Sequence, residues 1–179
     1  MSDDITPDDK NWTWVLERQC IECGFDASMF DPARTAEALR DQVRRWTAVL
    51  QHEGVQARPR TDVWSPLEYG CHVRDVFRKF DERLRLMLEI VDPTFENWDQ
   101  DKTAIENRYD LQNPESVIEE LREAGLSLAE CFESVNQGQW TRRGFRSDGS
   151  VFTIASFAKY LMHDPVHHLW DVGAEVPLY

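Results

Sequence analysis

Three times in this chain a small polar residue stands directly before a proline and opens an apolar stripe of helical period: Asp31-Pro32, Ser65-Pro66 and Asn113-Pro114. A polar side chain at the cap position accepts a hydrogen bond from a backbone N–H that the first turn leaves unpaired. Proline at the next position already has helical φ, and its missing N–H costs nothing there. After Asp31 the stripe is Leu39, Val43, Trp46 and Leu50. After Ser65 it is Val73, Val76, Phe80, Leu84, Met87 and Val91, stopped by Asp92-Pro93. Here Glu68 completes a capping box with Ser65. After Asn113 it is Val117, Leu121, Ala124, Leu128, Phe132 and Val135, ending near Gly138. A fourth stripe starts near Ser150 or Thr153 with Ile154, Phe157 and Leu161, continues through Leu169 and Val172, and ends at Gly173. Four amphipathic helices bury their stripes against one another, so the expected fold is an all-α four-helix bundle around one core.

The connections are uneven. About 20 residues separate the second and third helices, which suggests a loop or short helix covering one end of the bundle. That stretch, Pro93 to Gln112, carries Phe95, Trp98 and Tyr109. The segment from Trp140 to Gly149 is basic and contains glycine, and reads as an exposed loop or a small hairpin. The chain divides into an N-terminal part, residues 1–30, and the bundle, residues 31–179. Residues 1–10 are acidic and read as an unstructured tail. Residues 11–30 contain Trp12, Trp14, Val15, Leu16 and Phe25 and should dock on the body.

Charge narrows the partners. Lys plus Arg number 20 against 33 Asp plus Glu, for a net charge of -13. Such a surface repels phosphate backbones and anionic lipid, so neither nucleic acid nor a membrane is an expected partner. No apolar run approaches the roughly 20 residues that span a bilayer. The opening residues lack the basic-then-apolar layout of a signal peptide, so a cytoplasmic location is expected. Four cysteines do not make a disulfide framework at this length. Cys71 and Cys131 sit in apolar helical contexts and read as core residues. Cys20 and Cys23 form a CxxC, but a zinc knuckle needs a second ligand pair and none is close in sequence. An ordinary turn in the docked arm is the expectation, with metal or redox work as its alternative.

Four of the five histidines fall in two places: His72, and the run His163-Asp164-Pro165-Val166-His167-His168. Residues four apart on a helix share a face. The run therefore offers two nested pairs, Asp164 with His168 and His163 with His167. Either can hold one metal ion from two points, with His72 as the third ligand. Three protein ligands leave a position for water or substrate, as reactive metal sites do. His72 shares its face with Val76 and Phe80 and should point inward. Asp164 and His168 continue the line of Ile154, Phe157 and Leu161, which favours that pair; His163 and His167 remain the alternative register. Pro165 either bends the helix or makes Asp164-Pro165 a fresh cap.

The segment Trp64-Ser65-Pro66-Leu67-Glu68, with His72 eight residues after the tryptophan, resembles the second-helix motif of the DinB/YfiT-like superfamily. The segment from Tyr160 to Val172 is similar to that superfamily's fourth-helix motif, and Trp140-Thr141-Arg142-Arg143-Gly144 fits the stretch before it. The resemblance covers roughly residues 31–173 and leaves the arm with its CxxC outside. It implies a four-helix bundle of up-down-down-up order and a divalent metal, typically zinc or nickel, held by one residue of the second helix and two of the fourth. Members of known activity include thiol-dependent S-transferases and the mycothiol-dependent maleylpyruvate isomerase, and some members form homodimers. The doublet His167-His168 matches His168 to the family's second ligand and puts Asp164 in the first position. Matching the literal His-x-x-x-His string selects His163 and His167 instead.

The expectation is thus a metal-dependent enzyme of a small-molecule substrate, most directly a thiol S-transferase using a low-molecular-weight thiol such as mycothiol. Metal-assisted hydrolysis and a non-catalytic dimer scaffold are the alternatives. No separate general base can be assigned. Asp171, one turn after the doublet, can orient a ligand imidazole. Arg142, Arg143 and Arg146 can meet an anionic substrate, though a plain charged loop accounts for them as well. Trp140 and Trp170 are candidate pocket walls. No glycine-rich phosphate loop or nucleophile elbow is present.

Overall fold

The structure, a computed structural model, describes Ile5 and residues 11–179. Apart from Ile5, the acidic tail expected over residues 1–10 lies outside the described residues. Each proline-marked start forms as expected. The Asp31 side chain accepts from the backbone N–H of Ala33 and opens a 3-10 turn, Pro32–Arg34, that runs into α1 (Thr35–Leu50). Ser65 and Glu68 exchange both capping-box hydrogen bonds at the start of α2 (Pro66–Glu89), and Arg58 pairs with the buried Glu68 carboxylate. Two short elements, β1 (Thr94–Phe95) and α3 (Gln100–Glu106), follow in the long connection. Asn113 caps α4 (Pro114–Glu133). The hairpin β2 (Arg143–Arg146) and β3 (Val151–Thr153) leads into α5 (Ile154–Asp171), whose cap is Thr153 with Ser156 in a reciprocal box. Thr153, not Ser150, therefore starts the last helix.

The four long helices α1, α2, α4 and α5 form the bundle. Their stripes are buried, with differences at the ends. Val91 is exposed because α2 stops at Glu89 and the chain turns extended at Ile90. α4 ends at Glu133, short of Gly138. The most extensive packing is that of α4 against α1 and α2, and α5 packs on α1 and α2. Gly125 of α4 lets these backbones approach: a Cβ there would lie 2.4 Å from a Val43 methyl and 3.1 Å from the Phe77 ring. Gly125→Ala should therefore lower stability by about 1–3 kcal/mol, the usual cost of overpacking. Chemical denaturation would measure it, and an unchanged midpoint would refute the close approach.

The connection and the loop after α4 meet in a three-stranded sheet of order β1-β2-β3, with β1 parallel to β2 and β2 antiparallel to β3. This sheet packs Phe95 and Phe152 into the core. It also fixes the connection beside the bundle. Asp99 caps α3, and the Trp98 indole N–H donates to Thr103 Oγ1 at 2.7 Å. In the segment before α1, Val15, Cys20, Cys23 and Phe25 are buried in or against the core. Among the described residues no helix is long and apolar enough to cross a membrane.

Candidate metal centre

α5 runs unbroken through Pro165, so Asp164 is a helical residue and not a cap. The Pro165 carbonyl accepts from the indole N–H of Trp46 at 3.2 Å, which ties this part of α5 to α1. Consecutive helical residues point about 100° apart, because 3.6 residues complete a turn. The nested pairs therefore form two neighbouring stripes with different partners. Asp164 and His168 face His72 of α2, and one potential ligand atom from each of these three residues lies within 4.8 Å of the others. His163 and His167 group instead with Cys20 and Cys23 of the arm.

The triad is held from several sides. His72 is fully buried in the second turn of α2, and its Nε2 lies 3.3 Å from Asp164 Oδ2. Its ring is stacked on Trp98 at 5.5 Å with the planes 3° apart, and Trp64 lies against it at the same centroid distance. Trp64, eight residues earlier, is thus part of the pocket that orients the imidazole. His168 Nε2 is 3.9 Å from Asp164 Oδ1, and its Nδ1 is 2.7 Å from Asp171 Oδ2. An Nδ1–H donating to Asp171 leaves Nε2 as the basic nitrogen on the Asp164 side. The Asp171 carboxylate is thus placed to orient the His168 ring. Burial alone would raise the Asp164 carboxyl, but His72 and His168 outweigh it and hold it down to about 2. Asp164 Oδ1 and His72 Nδ1 are both buried without a hydrogen-bond partner.

The triad opens on a cleft of about 470 Å³ lined by residues of α2, the connection, the hairpin, α5 and the arm. Asp164 and His168 reach it directly, with Trp98 and Trp12 among its aromatic walls. Trp140 and Trp170 do not line it. Trp140 is stacked over Phe132, and Trp170 is 43% exposed. Of the three loop arginines only Arg146 lines the cleft, paired with Asp148 and bonded to the Tyr160 hydroxyl. Arg142 caps α2 through the carbonyls of Met87 and Ile90, and Arg143 pairs with Asp92. The residue missed by inspection is Arg83. It lies on the apolar side of α2, three positions after Phe80, and that phase is the signal that marks it. It is buried, lines the cleft and donates to the Glu96 carbonyl at 2.8 Å. Among the described residues it makes no ion pair. Burial and the neighbouring Arg146 lower it to about 10, so it remains a cation at neutral pH.

Elsewhere, burial pushes the thiols of Cys71 and Cys131 up to about 12 and about 11, as befits core cysteines. Burial likewise holds His163 down to about 3, so that imidazole is neutral.

A bundle that gathers two imidazoles and a carboxylate from two helices beside an open cleft defines a class of candidate metal-binding proteins. The chain belongs to the DinB superfamily, whose sequence profile matches residues 35–172. No curated protein matches it. Its fold is similar to that of YfiT from Bacillus subtilis, described as "a probable metal-dependent hydrolase with an unusual four-helix bundle topology". The two agree with a TM-score of 0.59 over 96% of this chain and 95% of that one, at 14% sequence identity, a likeness of fold. The family read from the Trp64 to His72 spacing and the fourth-helix motif is thereby borne out.

Proposed function

We propose that this protein is a divalent-metal-dependent enzyme of small anionic substrates, with His72, Asp164 and His168 as metal ligands and a low-molecular-weight thiol as co-substrate for S-transfer. The observation that carries the reading is Asp164 Oδ1, buried without a donor and 3.9 Å from the basic nitrogen of His168. A buried carboxylate oxygen left so costs free energy that a coordinated cation removes. Two imidazoles and one carboxylate suit zinc or nickel. Such an ion supplies Lewis acidity that lowers the pKa of a thiol or water reaching it.

The chain's own groups define the rest. Asp171 keeps His168 in one tautomer, and Trp98 and Trp64 fix the plane of the His72 ring. Arg83 and Arg146 present two guanidinium groups to the cleft, which suits a carboxylate or phosphate on the substrate or on the thiol. None of the four cysteines is paired in a disulfide, which fits a reducing, cytoplasmic setting. Metal-assisted hydrolysis is the second reading, favoured by the likeness in fold to YfiT.

The test pairs metal content with substrate screening. The wild type should carry metal that His72→Ala and Asp164→Ala lose at the triad. Turnover of an electrophilic substrate should then require added thiol. Turnover at the full rate without thiol would favour hydrolysis. Failure of the triad to bind any divalent metal would reject both readings.

A further inference from the structure

We infer that Cys20, Cys23, His163 and His167 form a second metal site, a structural zinc centre that pins the N-terminal arm to α5. Four potential ligand atoms, one from each side chain, lie within 4.8 Å of one another. Cys20 Sγ is 3.6 Å from His167 Nδ1. Two thiols and two imidazoles are a complete tetrahedral set for zinc, with Zn–S near 2.3 Å and Zn–N near 2.0–2.1 Å. The cluster is more deeply buried than Asp164 and His168 of the triad, although its two imidazoles also border the cleft. Cys20 is 0%, Cys23 6%, His163 4% and His167 6% exposed. Four protein ligands and no open position mark a structural site.

The local backbone builds both halves. The Gly24 N–H donates to the Cys20 carbonyl at 2.9 Å, closing a tight turn that brings the two cysteines to one side. Gly24 then adopts φ +78°, a left-handed conformation suited to glycine. That reversal lets the Cys20 N–H donate to the Phe25 carbonyl, also at 2.9 Å. The other half is the i,i+4 pair of α5. His163 Nε2 is buried with no hydrogen-bond partner. A neutral buried polar cluster held only by hydrogen bonds would leave that atom unsatisfied. Around the cluster, Glu22 Oε2 lies 3.7 Å from His167 Nε2, while the other ring nitrogen faces Cys20. Trp12 covers both imidazoles, with ring centroids 5.3 Å from His163 and 5.0 Å from His167. A neighbouring carboxylate and an apolar cover are what orient and seal a metal-bound imidazole.

The site shares no residue with the triad, yet the two are mechanically joined. His163 and His167 each precede a triad ligand by one residue. A zinc ion joining them to the arm would fix the rotation of α5 and hence the aim of Asp164 and His168. It would also hold Asn11 and Trp12 in the cleft wall. The two nested pairs are then not alternatives for one ion, but ligands for two.

Metal analysis and cobalt substitution of the full chain test the proposal with Zn²⁺ and Co²⁺ as probes. Cys20→Ser with Cys23→Ser should lose one zinc equivalent per chain relative to the wild type. His72→Ala should retain that equivalent, whatever the triad holds. The Co²⁺-loaded wild type should show thiolate-to-cobalt charge-transfer absorption, kept in His72→Ala and lost in the double cysteine variant. A measurement on the wild type alone guards against misfolding of that variant. Cys20 and Cys23 should resist alkylation with zinc bound and become reactive once a chelator removes it. A cobalt-loaded wild type without thiolate absorption, or recovery of the native pair as a Cys20–Cys23 disulfide, would overturn the inference.

Discussion

His72→Ala should remove the triad's metal while leaving the thiolate–cobalt signal of the arm unchanged. Even groups that only orient a ligand cost about 10–100-fold in metal affinity when removed. Loss of a ligand in a three-residue set should therefore weaken binding by more than about 100-fold on the same scale. Asp171→Ala, which frees the Nδ1 side of His168, should fall within the 10–100-fold range. His163→Ala gives the opposite pattern, keeping the triad ion and losing the thiolate-coordinated one. Titration of each apoprotein with Zn²⁺, beside elemental analysis, separates the cases. If His72→Ala bound two ions as tightly as the wild type, the triad would not be a metal site. If His163→Ala lost the triad ion instead, the register would be the other nested pair.

The legible parts of this fold are those fixed locally. Asp31, Ser65 and Asn113 each cap the turn that follows them, and the stripes behind them are buried, because caps and periodicity need only neighbours in sequence. A small hairpin is one reading of the stretch from Trp140 to Gly149, and β2 with β3 forms it. Its pairing with β1 is not legible, since β1 lies about 50 residues away and neither strand is long enough to alternate. The same limit governs the site. The spacing of the histidine run shows two faces of one helix but not what each face meets. The side chains that His163 and His167 face, Cys20 and Cys23, stand about 140 residues earlier in the arm, and no local pattern reveals that meeting. Trp98, stacked on His72, comes from an irregular connection with no period to place it. Arg83 is different: its phase on α2 puts it with Phe80 and Met87, and a charge on that face is a buried charge.

Asp75→Ala should destabilise the chain by about 3–5 kcal/mol, the cost of leaving a buried ion-pair network without one partner. Arg74 is 4% exposed at its side chain and donates to Asp75 at 2.8 Å, to Glu120 at 3.0 Å and to Gln112 at 2.6 Å. The Tyr109 hydroxyl donates to Asp75 at 2.5 Å. This network ties α2 to α4 and to the end of the connection that carries Trp98. Burial alone would raise the Asp75 carboxyl, but hydrogen bonds from Arg74 and Tyr109 outweigh it and hold the group below the usual carboxylate range. A carboxylate whose pKa is lower folded than unfolded binds its proton first in the unfolded chain. Its stabilisation is therefore complete above the unfolded value near pH 4 and is lost as pH falls through the folded value. Asp75→Asn keeps an acceptor for Tyr109 but carries no charge, so it should lose less stability at neutral pH and show a shallower acid decline. Urea denaturation from neutral pH down to the acid limb, at fixed zinc, measures both. Asp75 stands one turn after His72 and falls in neither cluster of potential metal ligands among the described residues, so the triad's stoichiometry should survive in Asp75→Asn. A wild-type acid profile that Asp75→Asn leaves unaltered would show that this carboxylate does not contribute to the acid decline.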